Sequence, residues 1–229
     1  MSKHFERELA ALQERLLTLF SVVERMINQA TRALIVGGSG SIVEVLEEDD
    51  DFINSQEVVI EEECLKLLAL YQPVTGDLRM ITTVMKVNID LERIADLACN
   101  IAERVEAIRQ FPYFPIPDQI AEMARDATEM VRKALNSFVG MNLEMAKQVI
   151  IDDRKVDELN RQAIREVKAL MTSQPDLIDP ALSCFSLSRH LERIADHAEN
   201  IAEEVIYMIS GEIIRHKHGE FFIKADIDG

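Results

Sequence analysis

Leu91–Val105 reads LERIADLACNIAERV and Leu191–Val205 reads LERIADHAENIAEEV, one hundred positions apart and identical at twelve of fifteen positions. Identity of that length within one chain marks an internal duplication, and a repeat governs how everything around it is read. On a helix turning about 100° per residue, Leu91, Ile94, Ala95, Ala98, Ile101, Ala102 and Val105 form one narrow seam. Leu191, Ile194, Ala195, Ala198, Ile201, Ala202 and Val205 repeat it. The alanines let a neighbouring helix approach closely, so the seam is predicted to be core. Glu92, Asp96, Asn100 and Glu103 fall off the seam on a polar stripe, matched by Glu192, Asp196, Asn200 and Glu203. That stripe is expected to face away from the core or into a groove between helices.

Helical periodicity extends outward from both copies. The first copy lies in a helix predicted from about Asp77 to Gln110, about 50 Å long at 1.5 Å per residue. Pro73 and Gly76 precede it, with Thr75 or Asp77 as its expected cap. Upstream, Leu9, Leu12, Leu16, Leu17, Phe20, Val23, Met26, Ile27 and Ala30 recur at helical steps and predict a core stripe on a helix from Phe5 to about Val36. Gly37–Gly40 breaks it as a turn, having neither a preceding strand nor a phosphate-loop lysine. A second helix follows from about Ile42 to Leu70. Three prolines at 112, 115 and 117 forbid a helix there and divide the chain into 1–115 and 116–229. The pattern then returns: helices from about Asp118 to Val139, Leu143 to Met171 and Pro180 to His218, with breaks at Pro175 and Pro180 and a start signal at Asp179. The expected fold is all-α, two tandem three-helix bundles related by duplication. The tail after Gly219, EFFIKADIDG, is unclassified, although its paired phenylalanines suggest docking.

Composition narrows the function. A hydrophobic content of 48% is enough for a packed core, and a formal charge of −16 argues against binding nucleic acid or anionic lipid. It favours cations or basic protein surfaces. No apolar run approaches the ~18 residues needed to span a bilayer, and the amphipathic, acidic start lacks a signal-peptide core. Membrane insertion is therefore not expected. Cys64, Cys99 and Cys184 form neither a CxxC pair nor a zinc spacing, which fits a reducing cytoplasm. Cys64 and Cys184 sit among apolar residues as expected core positions.

The chemistry lies in the acids. Asp50, Asn54, Glu57 and Glu61 are spaced to share a face of the middle helix of the first half. In the second half Asp153, Asp157 and Asn160 keep that start, and Ile164 replaces the last acid. Two such stripes on adjacent helices crowd carboxylates that repel one another unless a cation lies between them. Oxygen donors suit Mg²⁺, Ca²⁺ or Mn²⁺, and iron also binds carboxylates. The bland alternative is a solvated acidic face, with duplicated Arg93 and Arg193 forming salt bridges to the acids. Retention of Glu92/Glu192, Asp96/Asp196 and Asn100/Asn200 within one chain favours metal. His190 and His197, whose first-half counterparts are Asp90 and Leu97, read as interhelical or solvent-facing rather than ligands.

LERIAD-x-A-x-N-IAE, twice, each copy downstream of an Asp-x-x-x-Asp/Asn helix, together with QPVTGDLRM at 72–80, resembles the PhoU family across essentially the whole chain. The resemblance implies a cytoplasmic regulator that links a phosphate ABC transporter to its sensor histidine kinase. It implies repression of phosphate-starvation genes when phosphate is plentiful, and often a homodimer. Some members bind metal clusters through these acidic motifs. Carried over by position, the first metal site would use Glu92, Asp96, Asp50 and Asn54, and the second Glu192, Asp196, Asp153 and Asp157. Asn100, Asn200, Glu57 and Glu61 are further candidates. Asn54 stands where an acid is more usual, and Cys99 where the second copy has Glu199, so the second site is expected to be the stronger. No enzyme is expected: a di-metal carboxylate bundle enzyme would carry inward Glu-x-x-His motifs, which are absent. That enzyme and a structural helical protein without metal are the two alternatives.

Overall fold

The computed structural model describes residues 3–36 and 42–215. Among them are α1 (Lys3–Val36), α2 (Ile42–Tyr71), α3 (Thr75–Arg109), α4 (Asp118–Gly140), α5 (Leu143–Ser173) and α6 (Ile178–Ser210), with a 3₁₀ turn at Pro175–Leu177 and no strand. The architecture is all-α, as the periodicity predicts. None of the described helices is long and apolar enough to cross a membrane. The turn at Gly37–Gly40 and the tail after Gly219 lie outside the described residues.

The duplicated helices α3 and α6 share the most extensive helix contact. They run antiparallel: Thr83 and Lys86 of α3 meet Glu204 of α6, and Asp90 meets His197. α2 packs on the outer side of α3 and α5 on that of α6, while α1 and α4 cover the back of each trio and touch each other. The alanine seam explains this arrangement. Ala95, Ala98, Ala195 and Ala198 are all fully buried, as are Leu91, Ile94, Ile101, Leu191, Ile194 and Ile201 on the same seam. Small side chains bring helix axes close, and the large neighbours then interdigitate at crystal-like density.

Several local expectations needed correction. α6 stops at Ser210, not His218, because Gly211 takes φ +78° and its N–H caps the carbonyl of Tyr207. A left-handed glycine is the common way to end a helix. Pro180 does not break α6; it sits in the first turn, where a missing N–H costs nothing. Neither Thr75 nor Asp77 caps α3: the cap residue is Val74, without a side-chain bond. Gln72 and Thr75 take φ of 45° and 53° around Pro73, a tight turn built without glycine at the left-handed positions. Leu17, placed on the α1 core stripe, is 38% exposed, and Leu19 is fully buried in its stead.

Candidate functional site

In the first half, α2 and α3 are pinned side by side at both ends of the acidic stripe. Asn88 of α3 donates its amide to the Glu57 carbonyl at 2.9 Å, and the Cys99 thiol reaches the Leu46 carbonyl at 3.6 Å. Between these pins lie Asp50 and Glu57 from one helix and Glu92 and Asp96 from the other, all half-buried. Burial pushes the Asp50 carboxyl above its ordinary range; Asp96 pushes the same way, and the Asn54 amide, donating at 3.1 Å, opposes it. The other Asp50 oxygen, Oδ1, is buried without a hydrogen-bond partner. Burial raises Glu92 too, with Asp96, Glu57 and Asp50 adding to it and Arg93, 3.4 Å away, opposing. Asn54 and Glu61 are exposed at the rim. Asn100 spends its amide on the Asp96 carbonyl at 2.7 Å.

The second half builds the same stripe from α5 and α6 with more acid. Burial, then Glu199, Asp196, Asp157 and Glu192, push Asp153 up to about 7. Burial, then Glu203, Asp196 and Asp157, push Glu199 up to about 7 against Arg154. Asp196 is exposed overall, yet its carboxyl is raised by the burial of its inner edge and by Asp157. Glu192 is raised by burial and Asp196, although Arg189 donates to it at 2.6 Å; its Oε2 is buried without a partner. Asp157 has Arg161 at 3.5 Å.

Asp50 therefore faces Glu92 and Asp96 across one helix pair, with Asn54 at the rim, Asp153 and Asp157 face Glu192 and Asp196 across the other, and one residue outside these sets joins. Glu199 is as strongly perturbed as Asp153. Its signal in the sequence was its place one residue before Asn200, on the flank of the stripe that faces α5. The peripheral residues fare differently. Asn200 leaves the stripe and joins His197 on Asp90 across the two halves, at 3.4 and 2.8 Å. His197 is thus interhelical, as expected, while His190 bonds Ser186 at 3.1 Å. Glu203, expected on the polar face, is buried and has Arg215 at 3.6 Å. Asn160 is buried as well. Arg193 does not take the role expected of it, since Arg189 holds Glu192.

Chemically, each stripe is a row of oxygen donors, of which Asp50 and Glu92 in the first and Asp153, Glu192, Asp196 and Glu199 in the second have raised proton affinity, and Asp50 Oδ1 and Glu192 Oε2 are buried without a hydrogen-bond partner. That donor set suits a hard cation. As the side chains stand, no three Asp, Glu, His or Cys groups among the described residues converge tightly enough to grip an ion, so a cation would be held only after side chains rotate inward. Burial pushes the Cys64, Cys99 and Cys184 thiols up to about 12, so these three stay protonated near neutral pH.

A family model described as "PhoU domain" matches the chain twice, over residues 16–105 and 120–205. The chain is 40% identical over 215 residues to a phosphate-specific transport system accessory protein PhoU homolog of Aquifex aeolicus, covering 93% of this chain and 96% of the relative. The crystal structure of PhoU from Pseudomonas aeruginosa superposes with a TM-score of 0.84 at 37% identity, covering 91% of this chain and 100% of that one. That of the phosphate transport system regulatory protein PhoU from Streptococcus pneumoniae superposes with a TM-score of 0.83 at 28% identity, over 91% and 98%.

Proposed function

The chain belongs to the PhoU family, and on that premise we propose that it is a cytoplasmic, metal-dependent negative regulator of phosphate uptake and phosphate-starvation signalling. In this reading it is a homodimeric adaptor between the phosphate ABC transporter and its sensor histidine kinase. Residues 1–115 and 116–229 each carry one cation site. Glu92, Asp96, Asp50 and Glu57 serve the first, with Asn54 and Glu61 at its rim. Glu192, Asp196, Asp153, Asp157 and Glu199 serve the second.

The observation that carries the reading is the duplicated carboxylate stripe: burial, and then neighbouring acids, raise the proton affinity of Asp50 and Glu92 in the first repeat and of Asp153 and Glu192 in the second. A bound cation would supply positive charge that relieves this repulsion. The chain's own residues then do the regulatory work. Asp50 and Asp153 face the acids of the central helices, so cation occupancy would bias the spacing within each helix pair and the shape of the surface offered to a partner. We read the role as an adaptor's rather than an enzyme's: the Cys64 and Cys184 thiols are buried and pushed up to about 12, and His190 and His197 are engaged in an intrahelical and an interhelical bond.

The test is genetic and biochemical together. Deleting the gene, in a strain without a second copy, should leave phosphate-starvation genes on in high phosphate, and wild-type protein should restore repression. Purified wild-type protein should retain the transporter's ATPase subunit or the kinase in a pull-down. Normal repression in the deletion strain sinks the regulatory reading. Normal repression by an Asp96→Asn/Asp196→Asn variant that no longer holds metal sinks only the metal dependence.

A further inference from the structure

The back layer carries a feature unrelated to the acidic stripes. α1 and α4 diverge along a cleft of about 520 Å³ bordered by Arg32 and Arg125, with Glu24, Arg132, Glu129 and Ile35 also on its walls. Three guanidinium groups and two carboxylates give this wall a formal charge of +1 in a chain of −16. Arg132 is already occupied, forking onto Glu129 at 2.7 and 2.9 Å. Arg32 and Arg125 make no hydrogen bond or ion pair with any described residue. Arg125 acts on Glu122 through space, but that carboxylate is bonded by Lys155 at 2.8 Å.

Three other polar groups of the cleft each spend a donor within their own helix. Asn28, Thr31 and Thr128 each donate to a carbonyl one turn back: Glu24, Ile27 and Ala124, at 2.8, 2.8 and 2.7 Å. Arg32 and Arg125 are thus the two guanidinium forks left without a protein partner, and such planar forks match acceptor-only oxyanions, phosphoryl groups above all. The unspent acceptors are the Glu24 carboxylate and the Asn28 side-chain oxygen, which would take hydroxyl or amino donors. A single phosphate leaves most of a cleft of this volume empty, whereas pockets of ~300–1,000 Å³ are the size that small organic ligands fill.

We propose that the α1–α4 cleft binds an organic phosphate of nucleotide size, its phosphoryl oxygens on Arg32 and Arg125 and its hydroxyl or amino groups toward Glu24. The site is independent of the cation stripes, which lie on the other helix pairs, so it stands or falls separately from the proposed function.

The test is calorimetric titration of the full chain with ATP, adenosine and inorganic phosphate, in EDTA so that no metal-bridged nucleotide can settle on the carboxylates. The expected result is saturable ATP binding, weaker binding of inorganic phosphate, and no binding of adenosine. Arg32→Gln/Arg125→Gln should weaken ATP binding about tenfold or more, since charge-assisted bonds are lost. Both residues are exposed, so the variant should keep the wild-type circular dichroism and melting temperature. Glu24→Gln, with both arginines intact, should bind ATP at least as tightly as Arg32→Gln/Arg125→Gln does. No measurable ATP binding, unchanged affinity in the double arginine variant, or ATP affinity no higher than that of phosphate would each overturn the proposal.

Discussion

Replacing Asp153 with asparagine should stabilise the metal-free protein at alkaline pH while making it less responsive to added cation. Asp153 is half-buried among Glu199, Asp196, Asp157 and Glu192, and its carboxyl titrates at about 7 instead of 3.8. In the unfolded chain the same carboxyl loses its proton near pH 4. Between about pH 4 and 7 the folded state therefore holds a proton that the unfolded state lacks. The corresponding stability is fully present below about pH 4 and is lost as pH rises through 7. A span of about three pH units corresponds to at most about 4 kcal/mol. The group is partly open to water and shares its repulsion with Glu199, so about 1–2 kcal/mol is the screened magnitude. Asparagine carries no charge at any pH. Asp153→Asn should then raise metal-free stability near pH 8 by about 1–2 kcal/mol and flatten the dependence between about pH 5 and 8. The assay is urea unfolding in EDTA at both pH values, repeated with Mn²⁺ in place of EDTA. Wild type should gain more stability from Mn²⁺ than the variant does. If wild type is equally stable at both pH values in EDTA, and Asp153→Asn lowers stability at both, the acids are not in mutual strain and the argument fails.

Other outcomes follow from the same structure. Asp96→Asn and Asp196→Asn should each lower the bound metal measured by elemental analysis, with the larger loss at Asp196, where Asp153, Asp157 and Glu199 are all acids; unchanged metal in the double variant would leave the stripes as solvated faces. Ala98→Leu should destabilise by about 1–3 kcal/mol through overpacking of a fully buried position, and a thermal denaturation shift near zero would contradict the seam. Glu204, 4% exposed, accepts from Lys86 at 2.9 Å and Arg215 at 2.6 Å. Glu204→Gln should cost about 1 kcal/mol, because both cations stay half in water. Lys86→Ala/Arg215→Ala should cost about 3 kcal/mol, because it strands a buried carboxylate; equal losses in urea melts would show that Glu204 is not sequestered.

The features legible in the sequence are those that depend on one helix at a time. Period, length and proline placement decide where helices run, and the duplicated alanine seam decides which face of α3 and α6 turns inward, because an apolar stripe on a helix has only one way to leave water. The division into two like halves and the pairing of α2 with α3 and of α5 with α6 follow from the same repetition. The acids at 50, 92 and 96 and at 153, 157, 192 and 196 could be placed on facing stripes for that reason alone.

Tertiary structure decided what each polar side chain meets. Angular position puts Glu199 on the flank of a stripe, but only the closeness of α5 makes it a partner of Asp153. Asn100 and Asn200 occupy equivalent positions, yet one bonds its own helix and the other crosses to Asp90, because residue 90 is an acid where residue 190 is a histidine. Glu103 is exposed while Glu203 is buried, since only the C-terminal end of α6 is covered by the chain that brings in Arg215. Helical periodicity is written along a single chain and survives in the sequence. The neighbour across a helix interface depends on rotation, offset and the one side chain that happens to lie opposite, and those are set only when the helices pack.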